Sequence, residues 1–352
     1  MAATPRHAPP GAPNYTLRRL VVGLAVLALI GGVVVLVTRS SGGSPTATTT
    51  TTTPAVATTS TTAKPPSSAA AALVAVSASW SLPSPLAREV VFVDGAQLLV
   101  AGGLAPGDHS VGDVYRIDPT SGRSTSVGQL SRPVHDAAGA TVGTRPLVFG
   151  GGAASVDASV QAPLDGTVVG SLPTPRADLV AATIGGSAYV VGGFDGTSYR
   201  SDVLATTDGT HFTTVAHLPT PVRYPAIVVM AHRLLVVGGE TPAGATDVVQ
   251  AIDTVTGRVT TLAPLPQPRS HATAVVLAGR VWILGGRVSG HATATTLAYD
   301  PATGASTAGP DLPKALSDSA IATIGTSAYV LGGEDDAKQV SRAVVELTTR
   351  SG

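Results

Sequence analysis

The 352-residue sequence has no cysteine, which excludes disulfides, thiolate metal sites, a cysteine nucleophile and a lipid-modified cysteine. Charge is scarce as well: Asp, Glu, Lys and Arg make up 12% of the chain, about half the usual share. Aromatic residues are few, at 4%. A coiled coil or large helical bundle needs long salt-bridged faces that this composition does not supply. Lys plus Arg and Asp plus Glu each total 22, and that zero balance argues against bulk nucleic-acid binding. What abounds is Gly (40) and Pro (27) among 43% hydrophobic residues, the makings of short apolar strands between tight turns.

The zero balance hides an asymmetry. All 22 acidic residues lie from Glu89 onward, while the first 72 residues carry five basic side chains (Arg6, Arg18, Arg19, Arg39, Lys64) and no acid. Residues 20–37, LVVGLAVLALIGGVVVLV, are uncharged and almost wholly apolar. As a helix they would span roughly 27 Å, close to the hydrocarbon thickness of a bilayer. Globular helices are amphipathic and this one is apolar all round, so a membrane helix over 20–38 is expected. Arg18 and Arg19 abut its start, which places residues 1–19 in the cytoplasm and the rest outside. The stretch is long for a signal peptide and no A-x-A site follows promptly, so an uncleaved anchor is the better reading. Residues 39–73 are Thr/Ser/Pro/Ala-rich and have nothing with which to build a core. They read as a stalk on the order of 100 Å long if extended, glycosylated or bare.

Beyond the stalk the chain repeats. A Gly-Gly doublet ends an apolar run six times: QLLVAGG, PLVFGGG, SAYVVGG, RLLVVGG, RVWILGG and SAYVLGG. Taking the first glycines as 102, 151, 192, 238, 285 and 332, the spacings are 49, 41, 46, 47 and 47. Before each run comes another apolar segment and a tight turn, as in EVVFVDG (89–95) and ATAVVLAG (272–279). After each doublet come a loop, a third segment such as VYRIDPTSG (114–122), and a fourth ending in a Pro-rich loop such as VVGSLPTPR (168–176). Four short strands per unit of this length is the signature of a propeller blade. The sixth unit stops one strand short, after AVVELTTRSG (343–352), and VSASWSLPSPLAR (76–88) supplies an unmatched fourth-strand pattern. The expected fold is therefore all-β: a six-bladed propeller over 74–352, closed by an N-terminal strand and preceded by the membrane helix and linker.

VVGGFDGTSYRSDVL (191–205) and LPQPRSHATAVVLAGRVWILGG (265–286) resemble units of the kelch-repeat family, and the resemblance runs over about 74–352. Kelch units usually carry a Tyr in the third strand and a Trp in the fourth. Tyr115 and Tyr299 fit the first, Trp80 the second, and Phe212 is a partial substitute. The second unit departs most, so Val, Leu and Ala are expected to replace aromatic packing between its blades. The resemblance implies that the loop before the innermost strand and the loop after Gly-Gly share one face, near the central channel.

On that face the first loop is basic in every unit: Arg88, Arg132, Arg176, Arg223, Arg269 and Lys314. Guanidinium groups there would suit carboxylate or phosphate, or would hold carbonyls of the adjoining blade. Asp178, Asp195, Glu240 and Glu334, with Arg287, His135 and His271, complete a mixed rim, joined by Glu89, Asp136 and Asp318. The run Glu334–Asp336 reads as a solvated turn without calcium spacing. No G-x-S-x-G, H-E-x-x-H or P-loop occurs, so no catalytic residue, metal or cofactor is assigned. The missing cysteine also removes the crosslinked copper oxidases that the resemblance brings in. Sialate mutarotases of kelch type remain, since ring opening needs only one acid–base pair. The expectation is an extracytoplasmic binding or scaffold module tethered to a bacterial membrane. Its partner would be a cell-wall glycan, peptide or protein, not nucleic acid. A sugar-processing enzyme and a purely structural spacer are the alternatives.

Overall fold

The computed structural model describes residues 72–350. The expected cytoplasmic segment, membrane helix and most of the stalk lie outside the described residues. Within them, no helix is long and apolar enough to cross a membrane.

Six four-stranded antiparallel sheets follow one another along the chain. In blade 1 the strands are Val90–Asp94, Gln97–Ala105, His109–Ile117 and Ser124–Gln129, counted from the channel outward. Blades 2 to 5 repeat this order, with innermost strands Ala138–Val142, Val180–Ile184, Ala226–Met230 and Thr273–Leu277. Blade 6 holds Ala320–Ile324, Ser327–Leu331 and Val344–Arg350, and its outer strand is Ala72–Ser77 from the other end of the chain. The innermost strands contact one another in cyclic order, blade 6 against blade 1 included, so the one-plus-three clasp closes the ring.

The clasp begins earlier than the sequence pattern placed it. Pairing runs from Ala72↔Arg350 to Ser77↔Val345, so the last two residues assigned to the stalk are already strand. Leu73 is 5% exposed and packs in the core between blades 5 and 6. Residues 78–88, with two prolines that lack ladder donors, form a loop instead, and Trp80 in that loop packs on Tyr329. Six apolar clusters fill the six spaces between neighbouring blades. They are built mainly from Val, Leu and Ala, with Phe149 and Phe212 meeting edge-on between blades 2 and 3.

Each doublet has left-handed backbone, with Gly150–Gly151 as the pair in blade 2, one residue earlier than the sequence spacing took it. At Gly238–Gly239 the reason is visible. The Gly239 amide donates to the carbonyl of Arg269 in the next blade at 2.8 Å, and a Cβ on Gly238 would fall on that same oxygen. Only glycine permits both the positive φ and this approach. The second glycines of the other doublets donate likewise to Val134, Arg176, Val222, Leu316 and Leu86, the last across the closure.

Gly238→Ala is expected to lower stability by about 3 kcal/mol or more, through backbone strain and the clash together. Gly185→Ala, at φ 58° with open space around it, loses only about 1 kcal/mol. Urea denaturation of both variants checks the difference.

Candidate functional site

Each blade reaches the channel through the few residues between its Pro-rich loop and its innermost strand. One residue per blade there is left-handed: Arg88, Asp136, Asp178, Tyr224, His271 and Asp318, with φ between 50° and 60°. A side-chain-bearing residue in that region is strained, and Asp and His tolerate it better than most. Backbone bonds hold the strain in place. The residue before each pairs by two hydrogen bonds with the one after the doublet: Ala87 with Leu104, His135 with Gly152, Ala177 with Phe194, Arg223 with Glu240, Ser270 with Arg287, Ser317 with Glu334. The left-handed residues also bond to one another. The amides of Asp178, Tyr224, His271, Asp318 and Arg88 donate to the carbonyls of Asp136, Asp178, Tyr224, His271 and Asp318, at 2.8–3.0 Å.

The six side chains of this collar line a cavity of about 350 Å³ in the channel, together with Glu89. Below them the wall is apolar, formed by innermost-strand residues including Val180, Ala182, Ile227, Val229 and Ile321. Arg88 lies among carboxylates, 3.0 Å from Asp136, 3.2 Å from Glu334 and 3.7 Å from Asp318. The Tyr224 hydroxyl donates to Asp136 at 3.3 Å, and its ring stacks on His271 with centroids 3.9 Å apart. Arg223 bonds Glu240 at 3.0 Å, reaches Asp178 at 3.5 Å, and lies over the rings of Phe194, Tyr199 and Tyr224.

Burial dominates the proton equilibria. It pushes the Glu89 carboxyl up to about 8, against the backbone amides of Glu89 and Ala320, which favour the charged form. Burial and the nearby Asp136 charge also raise Asp178 and Asp318, the latter against the pull of Arg88. His271 is pushed down to about 3 by burial and stays neutral. Burial pushes Glu334 up, but Arg88 and Lys338 outweigh it and hold the carboxyl below its usual range. The site thus places carboxyls that keep their protons near neutrality beside one held ionised. That is the arrangement general acid–base chemistry uses.

Of the residues expected at the rim, Arg88, Asp178 and His271 line the cavity. His135, Arg223, Glu240, Arg287 and Glu334 border it through ion-pair contacts with collar residues or with one another. Glu334, expected in a solvated turn, has a side chain only 3% exposed. Arg132, Lys314 and Asp195 stay outside, paired with Asp157, Asp335 and Arg200. Arg176 and Arg269 point into the protein. Arg176 is bound to the Gly192 carbonyl and to Asp202 at 2.6 Å, and Arg269 to the carbonyls of Gly285 and Thr295. The basic residues therefore occupy different places in the loop: Arg88 in the collar, Arg223 one before it, Arg176 and Arg269 two before, Arg132 and Lys314 four before. The sequence reading missed Tyr224. The signal that finds it is alignment of the units on the start of the innermost strand.

Residues 268–313, which include all four strands of blade 5, match the Kelch motif family. Among solved structures, the one titled "Structure of YjhT" is similar, with a TM-score of 0.66 at 16% identity, covering 77% of this chain and 99% of that one. That likeness is one of fold. No curated protein matches the chain.

Arg176→Ala leaves a buried pair broken and is expected to lower stability by about 3 kcal/mol. Arg132→Ala, at a side chain 62% exposed, changes it by about 0.5 kcal/mol or less; denaturant titration compares the two. For Glu89, the folded form holds a proton that the unfolded chain has released between about pH 4 and about pH 8, so stability falls as pH rises through that window. Glu89→Gln is expected to melt higher than the parent at pH 8.5, with the gap closing toward pH 4, as thermal melts across pH will register.

Proposed function

Taking as premise that this chain folds into a six-bladed propeller of kelch type, we propose that it is a membrane-tethered, extracytoplasmic binding module. Its ligand is a small polar molecule, or the polar tip of an envelope glycan or peptide, held at the collar. The tether rests on the apolar run at 20–37, and the setting on Arg6, Arg18 and Arg19 before that run against Arg39 alone close after it. The observation that carries the binding reading is the convergence of six strained side chains, one from each blade, on one cavity. Strain maintained by paired backbone on every side is what functional sites store. The chain enters the propeller at Ala72, and that strand reaches the collar face only at its far end, so the collar is on the face opposite the point of entry.

A second reading has its own support. Carboxyls that keep their protons near neutral pH, next to an ionised partner, suit the acid–base work of a sugar isomerase. Turnover of a bound sugar, lost in Asp318→Asn, is the mark of that alternative.

The binding reading is tested by thermal melts of the full chain with soluble wall fragments, sugars and short peptides. A ligand at about 100 times its Kd adds about 2.7 kcal/mol, a shift of several degrees. The shift is expected to fall in Tyr224→Phe and persist in Arg132→Ala. A shift indifferent to Tyr224 places the ligand elsewhere, and the full chain recovered free of membranes after cell breakage removes the tether.

A further inference from the structure

The collar cavity has a charge imbalance that points to what it holds. Four carboxyl side chains line it (Glu89, Asp136, Asp178 and Asp318) against a single cation, Arg88. That guanidinium is already shared among Asp136, Asp318 and Glu334. The groups packed around the cavity do not restore the balance. Arg223 is committed to Glu240 as well as Asp178, Arg287 reaches only Glu334 at 4.0 Å, and Lys338 is spent on Glu334. His271 stacks on Tyr224 and approaches Glu240 and Asp318 only at 3.7 and 3.9 Å, and His135 lies 3.5 Å from Asp136 with its pKa lowered by burial.

A second observation is independent of the count. The Asp318 side chain is 3% exposed, yet its Oδ2 has no hydrogen-bond partner. Buried acceptors without donors are rare in folded proteins and expensive to keep. An ionised carboxylate only accepts, whereas an ammonium brings three donors and no acceptor. A carboxylate brings acceptors alone and would leave such an oxygen without a donor. Beneath the carboxyls the wall turns apolar, with Val180, Ala182, Ile227, Val229 and Ile321, which suits a hydrocarbon tail pointing down the channel.

We propose that the collar cavity binds a small organic cation, a primary ammonium on a short apolar tail, with the head among Asp136, Asp178 and Asp318 and the tail against the innermost strands. This rests on the channel-binding reading and names its ligand class. It also gives the protons at this site a role. In the empty cavity, protons on Glu89, Asp178 and Asp318 offset the surplus of carboxyls. A bound ammonium takes over that charge, and the displaced proton leaves to solvent. Affinity then rises with pH through the neutral range, by up to roughly tenfold per unit for each proton released.

The test is calorimetric titration of the full chain with n-butylammonium chloride, beside n-butanol and sodium butyrate at matched ionic strength. Butylammonium is expected to bind, to release protons when buffers of different ionisation enthalpy are compared, and to bind more tightly at pH 8 than at pH 6. Asp318→Asn and Asp178→Asn are expected to weaken it tenfold or more, while Lys314→Ala leaves it unchanged. Should either Asn variant fail to fold, proton release and the pH trend in the parent chain carry the test. Butanol or butyrate binding as well as the amine does overturns the cation while leaving a channel ligand standing. A cavity that takes none of the three, with melts indifferent to sugars and peptides as well, overturns both.

Discussion

Around the channel a backbone hydrogen bond between collar residues joins five of the six pairs of neighbouring blades. The amides of Asp178, Tyr224, His271, Asp318 and Arg88 each donate to the carbonyl of the collar residue one blade back. A second tier lies just outside, where the second glycine of each doublet donates to the loop of the following blade. These two tiers fix how far each innermost strand stands from the next, and the interblade clusters of Val, Leu and Ala fill the space so defined. The geometry demands positive φ at the collar, and with it side chains aimed into the channel. Closure and site are consequences of one constraint.

That dependence explains which features were legible in the sequence. The doublets could be read because glycine is the only residue that satisfies both the left-handed backbone and the close carbonyl, so the chain repeats it in every blade. The hairpins could be read from short apolar runs joined by tight turns, and the clasp from one unmatched outer strand. Boundaries suffered where chemistry is ambiguous. Ala72 and Leu73 look like stalk by composition, and only the register with Arg350 and Thr349 makes them strand. Likewise PLVFGGG offers three glycines, and backbone geometry alone selects the first two.

The site was harder to read because positive φ is not unique to one residue type. Arg, Asp, Tyr and His all occupy collar positions, so no letter repeats. The repeated letter was Arg in the Pro-rich loop, and it serves two ends, since a shift of one or two residues turns a guanidinium from the channel to the backbone carbonyls inside the protein. Arg176 and Arg269 fill places that Leu86, Val134, Val222 and Leu316 take in the other blades. There they serve the doublet carbonyls of Gly192 and Gly285. Arg88, two residues further along, instead organises the carboxylates. What the sequence presents as a mixed rim with a basic residue in every loop becomes, at the collar itself, a cluster of acids around one cation, a difference set by register.

The collar bonds act as structural ties and not as incidental loop contacts. Native-state amide exchange followed by NMR tests this most directly. The amides of Arg88, Asp178, Tyr224, His271 and Asp318 are predicted to exchange only through global unfolding, with one shared opening free energy. Exchange of these five at the rates of exposed turns such as Gly185 or Gly279, while the innermost strands stay protected, would contradict it.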